Sequence, residues 1–149
     1  MEKNYLGDIQ NTLLLGAGPS GVAPSTYRAL SLNVLGHLDP YFIEIMEEIK
    51  KGLRQLMQTD NEVTVPLSGT GSAAMEAAFV NVVEPGDKVL VLENGVFGNR
   101  MADVAERLGA DVTKVEFQWG TPVLPVRVQE LLSKDHYKIV AIVHAETST

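Results

Sequence analysis

The feature that most constrains the fold is a regular alternation of short apolar runs and helix-forming segments along most of the chain. The apolar runs are rich in Val, Ile and Leu, which favour β-strands. The alternation predicts strands at 62–67, 88–93, 111–116 and 138–143, and helices at 71–83, 97–108 and 126–134. Continuously apolar strands alternating with helices predict an α/β fold with a mostly parallel sheet and helices on both of its faces.

The chain before residue 62 is organised differently. Residues 1–11 form a polar arm, and residues 16–21 (GAGPSG) predict a loop, because their Gly and Pro content opposes both helix and strand. Asp39 followed by Pro40 is typical of a helix N-cap and first turn. The helix that they begin has one apolar face, formed by Phe42, Ile45, Met46, Ile49, Leu53 and Met57. We therefore expect residues 1–20 to be an amino-terminal arm with a glycine-rich loop, and residues 21–149 to belong to one domain.

Composition excludes several classes of partner. The net charge of −7, without a basic cluster, argues against a nucleic-acid surface, which needs grouped Lys and Arg. Cysteine is absent, so disulfides and cysteine-based zinc sites are excluded, and we expect no metal. No segment approaches the ~20 apolar residues of a membrane span, and the polar first residues lack a signal-peptide pattern. The sequence predicts a cytoplasmic protein without membrane or nucleic-acid partners.

Residues 68–72 (SGTGS) stand where the first predicted strand gives way to a helix. At such a junction several backbone N–H groups have no intrahelical partner, and the helix dipole adds partial positive charge. Gly71 allows an anion to approach the backbone, while Thr70 and Ser72 add hydroxyl donors. The segment predicts a phosphate site. The alternative is a plain strand-to-helix turn in which Thr70 or Ser72 is the N-cap.

Three polar or aromatic segments follow predicted strands, at residues 68–72, 93–97 and 144–149. The carboxyl ends of parallel strands share one edge of a sheet, where ligands bind. Their convergence favours the phosphate site over the plain turn. The last of these segments is also where the chain stops, and we expect the chain to be the amino-terminal portion of a longer protein.

Six motifs together resemble a known family. They are LLGAGPS at 14–20, GHLDP at 36–40, SGTGS at 68–72 followed by EAA at 76–78, EPGD at 84–87, NGVFGNR at 94–100 and HAETST at 144–149. In this order and spacing they resemble the amino-terminal part of class V, fold-type-I aminotransferases that depend on pyridoxal 5′-phosphate (PLP). The resemblance is to the alanine–glyoxylate and serine–pyruvate (serine–glyoxylate) group, and it implies that residues 21–149 are part of the PLP-binding large domain.

The resemblance implies roles for particular residues. Residues 70–72 would hold the cofactor phosphate, and Phe97 would stack on the pyridine ring. Thr147 would lie beside the ring near its phenolic oxygen. Gly18 would lie near the substrate carboxylate, where the missing side chain leaves room. Arg100, in the NGVFGNR motif, is expected to be a surface or subunit-contact charge.

The resemblance also implies the reaction. The intact protein would be a homodimeric transaminase that moves an amino group from alanine or serine to a 2-oxo acid such as glyoxylate or pyruvate. Transamination needs a lysine that forms a Schiff base and an acid at the ring nitrogen, and in this family both lie beyond Thr149. No lysine of the chain stands at a predicted strand carboxyl end. We therefore expect no catalytic residue in this portion and no activity from it alone.

Two other functions stay open at the level of sequence. One is a class V PLP lyase or cysteine desulfurase, which Phe97 disfavours because those enzymes usually carry a histidine at that place. The other is a non-enzymatic phosphate- or nucleotide-binding α/β module.

Overall fold

The structure, a computed structural model, describes Gly7 and residues 12–149; the rest of the predicted arm lies outside the described residues. The described chain contains, in order, the helices and strands α1 (Pro24–Leu30), α2 (Pro40–Met57), α3 (Gly71–Val82), β1 (Lys88–Glu93), α4 (Val96–Arg107), β2 (Asp111–Glu116), α5 (Pro125–Leu132) and β3 (Ile139–Ile142). The predicted α2, α3, β1, α4, β2, α5 and β3 are confirmed, with ends that differ by at most two residues where bounds were predicted.

The three strands form one parallel sheet in the order β2-β1-β3. Val91, in the middle of β1, is paired with Lys114 of β2 and with Ala141 of β3. Because β1 is central, its residues Val89 and Leu90 are fully buried, as is Val91. The parallel sheet predicted from the continuous apolar runs is confirmed.

Helices α3 and α4 cover one face of this sheet. Phe79 of α3 and Met101 of α4 pack in one apolar cluster with the β1 side chains that point to that face. Ala102 and Ala105 of α4 are fully buried in the same cluster. Their small side chains allow the helix to pack closely against the strands.

Helix α5 lies over the opposite face of the sheet. Leu92 and Ile142 alternate with the residues of the apolar cluster and therefore point to this second face. They line an open groove of about 430 Å³ with Val128 and Leu132 of α5. Helices on both faces of the sheet are thus confirmed.

The strand predicted at 62–67 is wrong. In the described chain these residues pair with no other strand, and Val63 and Leu67 are 88% and 89% exposed. The guanidinium of Arg54 donates to the backbone carbonyls of Asn61 and Glu62, at 3.0 and 2.8 Å. The apolar run has the propensity of a strand, but a strand also needs a neighbouring backbone to pair with.

Helix α1 was not predicted. It begins at Pro24, and Pro at the first helical position is the signal that could have located it. The predicted loop at 16–21 is confirmed, since it contains neither helix nor strand. The N-cap predicted for α2 is confirmed too, because the Asp39 carboxylate accepts a hydrogen bond from the Tyr41 N–H at 2.8 Å.

The chain divides into two compact units. One contains the described residues up to Ser20 together with Thr70–Thr149, and the other is Gly21–Gly69. The sheet and helices α3 to α5 belong to the first unit, and α1 and α2 to the second. Within the described residues, no helix combines the length and apolar character needed to cross a membrane.

Candidate functional site

Helix α3 begins with two backbone donors that have no acceptor. Thr70 is its N-cap, and the Thr70 Oγ1 accepts a hydrogen bond from the Ala73 N–H at 3.2 Å. In the described part of the chain, neither the Gly71 N–H nor the Ser72 N–H has an acceptor. A Cβ built at Gly71 would have no atom within 4 Å, so the space beside the backbone is open. Two unused donors at the positive end of a helix attract an anion.

Thr70 therefore satisfies both interpretations of the SGTGS segment. Its oxygen caps the helix, as the plain-turn alternative requires, and an oxygen that accepts one hydrogen bond keeps its own proton for a ligand. Capping and anion binding are compatible at this residue.

All six residues that the sequence nominates line one cavity. This cavity, of about 550 Å³, lies at the carboxyl edge of the sheet within the first unit. Its lining consists of Ala17, Gly18, Thr70, Gly71, Ser72, Met75, Phe97, Met101, Ile142, Val143, Ala145 and Thr147. These residues are far apart in sequence. Phe97 and Thr147 follow β1 and β3, whose carboxyl ends share one edge of the sheet, whereas residues 70–72 lie at the start of α3 and Gly18 in the glycine-rich loop.

Two apolar residues of the cavity wall, Met75 and Met101, were not predicted from the sequence. Met75 lies four residues after Gly71 on α3, and Met101 lies four residues after Phe97 on α4. Residues four apart share a helix face, so this spacing was the signal that could have found both methionines. Phe97 itself is half-buried and stands in the first turn of α4. An apolar slot with donors at one end suits a flat ring that carries an anionic group.

The start of α4 is held by side chains from the loop after β3. One Glu146 oxygen accepts hydrogen bonds from the Phe97 and Gly98 N–H groups, at 3.2 and 3.3 Å. The Ser148 Oγ accepts the Val96 N–H at 3.0 Å and donates to the other Glu146 oxygen at 2.6 Å. Residues 146 and 148 thus replace the N-cap side chain that Gly95 lacks.

This arrangement joins two predicted site residues. Glu146 precedes Thr147 in the loop, and it caps the helix turn that carries Phe97. This role of Glu146 was not predicted from the sequence. The sequence did contain a signal for it: Gly95, at the N-cap, has no capping side chain, and Glu146 is an acid in a segment predicted to lie at the same edge of the sheet.

The cavity contains no ionisable side chain among its lining residues. The described lysines lie elsewhere: Lys50 and Lys51 are on α2, Lys114 pairs with Glu106, Lys134 follows α5, and Lys88 and Lys138 pair with Asp135 and Asp87. No group of three or more metal-type ligands occurs in residues 12–149. The described residues of this cavity can bind and orient a ligand, but they include no acid or base to transfer a proton.

The pKa shifts of the sheet occur at its opposite, amino edge. A hydrogen bond from Lys138 lowers the pKa of Asp87, and the Glu84 backbone N–H lowers it further. A hydrogen bond from Lys88 likewise lowers the pKa of Asp135. These pairs join the starts of the strands and belong to the stability of the sheet rather than to the cavity.

Comparison with known proteins gives a consistent result. The family model described as "Aminotransferase class-V" matches residues 24–149. Alanine–glyoxylate aminotransferase of Mus musculus is 40% identical over 141 residues, which cover 95% of this chain and 34% of that protein. (S)-ureidoglycine–glyoxylate transaminase of Bacillus subtilis (strain 168) is 42% identical over 136 residues, which cover 91% of this chain and 33% of that protein.

Solved structures agree with these matches. The crystal structure of an alanine–glyoxylate aminotransferase from Nostoc sp. superposes with a TM-score of 0.77 and 46% sequence identity. The match covers 95% of this chain and 38% of that chain. The chain therefore spans about a third of the length of the curated relatives that it matches.

Proposed function

The chain belongs to the class-V aminotransferase family, and from this premise we propose that it forms the PLP phosphate and ring site of an aminotransferase. The whole protein transfers an amino group from a small amino acid, alanine or serine, to a 2-oxo acid, glyoxylate or pyruvate. The observation that carries the proposal is the single cavity lined by Gly18, residues 70–72, Phe97 and Thr147. The names of the relatives supply the reaction class.

The residues present fit PLP. The unused N–H groups of Gly71 and Ser72, with the open space beside Gly71, match a phosphate group. The apolar walls at Met75 and Met101 match a flat ring, and a cavity of about 550 Å³ is within the range of cofactor sites. When bound, PLP supplies the electron sink that amino-group transfer needs.

We assign the following work to the chain itself. Residues 70–72 hold the phosphate through two backbone N–H groups and two hydroxyls. Phe97 would contact the ring, Thr147 would lie beside it near its phenolic oxygen, and Gly18 would leave space for the substrate carboxylate. Together these residues orient the cofactor, while the proton transfers belong to groups outside the described residues.

A binding experiment tests the cofactor site. We expect the chain to bind PLP more tightly than pyridoxal, measured by equilibrium dialysis, because only PLP carries the phosphate. Phe97→Leu should weaken PLP binding about five- to tenfold, the contribution of an aromatic stacking contact. Phe117→Leu is the matched control, since Phe117 is also half-buried but does not line the cavity. Equal effects of the two changes would contradict the assignment of Phe97.

An activity experiment tests the reaction. The protein, expressed at the length of its relatives, should form pyruvate and glycine when alanine and glyoxylate are supplied, with both products measured by liquid chromatography. Release of pyruvate or ammonia from a single amino acid without a 2-oxo acid would instead indicate lyase chemistry.

We also propose that the whole protein is a cytoplasmic homodimer. Large side chains of α2 favour a partner surface: Tyr41, Leu56 and Met57 are between 62% and 76% exposed. Light scattering after gel filtration would measure the mass of the assembly, and a monomer at micromolar concentration would contradict the dimer.

A further inference from the structure

Arg100 of α4 reaches across to the phosphate site on α3. Its Nη1 donates a hydrogen bond to the Ser72 Oγ at 2.9 Å, although the two residues are 28 positions apart. Ser72 lines the cavity. Of the Lys and Arg side chains in the described residues, Arg100 is the one that hydrogen-bonds to a residue lining that cavity. Arg100 is exposed, as expected for a surface charge, and it also contacts a residue of the cavity.

Arg100 forms no ion pair with a carboxylate of the described residues. Within the described residues 70–149, five of the other cations form ion pairs, namely Lys88, Arg107, Lys114, Arg127 and Lys138. Asp103, the acid one turn along α4 from Arg100, is paired with Arg107 at 3.1 Å. Arg100 thus keeps its positive charge beside two unused backbone donors, an arrangement that favours an anion.

The hydrogen bond from Arg100 also determines which further hydrogen bonds the Ser72 hydroxyl can make. A guanidinium only donates hydrogen bonds, so Arg100 uses a lone pair of the Ser72 oxygen. The hydroxyl proton of Ser72 remains free for another acceptor. A phosphate oxygen at the start of α3 would be such an acceptor, and charge on the donor network strengthens that bond.

We propose that Arg100 is a positioning residue and the counter-charge of the phosphate site: it orients the Ser72 hydroxyl toward a phosphate monoester and makes the site prefer phosphorylated ligands. The inference rests on the proposed PLP site and adds to it a residue on a second helix. Selectivity for the phosphate then depends on α4 as well as on residues 70–72.

The experiment compares the affinities of PLP and pyridoxal for the wild-type chain, Arg100→Gln and Arg100→Lys, by equilibrium dialysis. Arg100→Gln should weaken PLP binding about two- to fivefold, the upper range of an exposed charge interaction, and leave pyridoxal binding unchanged. Arg100→Lys, which keeps the charge, should retain most of the affinity. Inorganic phosphate should compete with PLP less well in Arg100→Gln than in the wild type.

Lys134→Gln is the matched control. Lys134 is the other cation of residues 70–149 without an ion pair, and it does not line the cavity. This change alters the net charge equally and should leave both affinities within twofold. Added salt should weaken PLP binding more in the wild type than in Arg100→Gln, because salt screens exposed charges. In a Ser72→Ala background, Arg100→Gln should have a smaller effect, since the two residues act through one hydrogen bond.

Three results would overturn the inference: equal losses of PLP and pyridoxal binding in Arg100→Gln, equal effects of Arg100→Gln and Lys134→Gln, or no preference of the wild type for PLP over pyridoxal. The proposed function fails differently. A phosphate preference that depends on Arg100, in a full-length protein that transfers no amino group, would contradict the aminotransferase and leave the role of Arg100 intact. If the full-length protein transfers an amino group but Arg100→Gln leaves the PLP affinity unchanged, the aminotransferase is supported and the role of Arg100 is contradicted.

Discussion

Gly95 shows how the absence of one side chain decides the start of a helix. Its backbone is extended, with φ of 173°, so any residue could adopt it. A Cβ at this position, however, would overlap Cγ and Cδ of Glu146 and lie 2.7 Å from the Ser148 Oγ. The requirement for glycine is therefore steric. The space that it leaves is filled by the carboxylate that caps α4 and holds the turn containing Phe97.

A double-mutant cycle tests this requirement. We expect Gly95→Ala to lower the free energy of unfolding by about 1–2 kcal/mol, because Glu146 must move and the cap is lost. Glu146→Ala should cost about 1 kcal/mol for the same cap. The double variant should cost less than the sum, since removing Glu146 makes room for the new Cβ. Urea unfolding measures all three, and strictly additive costs would contradict a shared mechanism.

At the scale of the elements, α3 depends on its N-cap. Thr70→Ala removes the oxygen that accepts the Ala73 N–H, and it should lower the free energy of unfolding by about 1 kcal/mol. Thr70→Ser keeps this oxygen and should restore most of the loss, as measured by urea unfolding. A cost in Thr70→Ser equal to that in Thr70→Ala would show that the methyl group, and not the cap, is what matters.

The amino ends of β1 and β3 are joined by charge pairs that depend on pH. Lys138 Nζ lies 2.6 Å from Asp87 Oδ2, and Lys88 pairs with Asp135. These pairs lower the pKa of both carboxyls from 3.8 and raise the pKa of both lysines from 10.5. The carboxylate contribution to stability is therefore present above about pH 4 and is lost as the pH falls through the lowered pKa values. The lysine contribution is present below about pH 10 and is lost as the pH rises through the raised values.

The variant Asp87→Asn tests the predicted loss of stability at low pH. Its amide oxygen can still accept the Glu84 N–H, which Asp87 binds at 2.7 Å, so the change mainly removes the charge pair. We expect the urea midpoint of the variant to be lower than that of the wild type at pH 7, with a difference that shrinks below about pH 4. Asp60→Asn is the control, because Asp60 is exposed and has no hydrogen bond or ion pair in the described chain. A difference that stayed constant down to pH 3 would contradict the pairing.

At the scale of the whole molecule, residues 1–149 should bind PLP without transferring an amino group. The described lysines lie outside the cavity, and Lys88, Lys114 and Lys138 are each held by a carboxylate. We expect no pyruvate from alanine and glyoxylate, and no lysine labelled above background after PLP and borohydride, as judged by peptide mass spectrometry. An active alanine–glyoxylate aminotransferase is the positive control for both assays. Turnover by the 149-residue chain, or a single strongly labelled lysine, would contradict this prediction.

Sequence by itself determined the α/β pattern and the position of most elements. Strand β1 at Lys88–Glu93 and strand β2 at Asp111–Glu116 have the bounds that their apolar runs predict. The same rule failed at 62–67, because strand propensity is local while pairing needs a second backbone in reach. The family resemblance of the sequence also nominated six of the residues that line the cavity, and the shared edge of parallel strands predicted that the segments at 93–97 and 144–149 would converge there.

Only the tertiary structure decided how those residues are held. The Glu146 carboxylate accepts a hydrogen bond from the Phe97 N–H, although the two residues are 49 positions apart in sequence. Arg100 donates a hydrogen bond to Ser72, which is 28 positions away. No local pattern encodes such contacts, because they depend on where packed helices bring side chains rather than on spacing along the chain. Propensity and periodicity therefore locate the elements and the edge where they meet, while packing selects which polar side chains support the site.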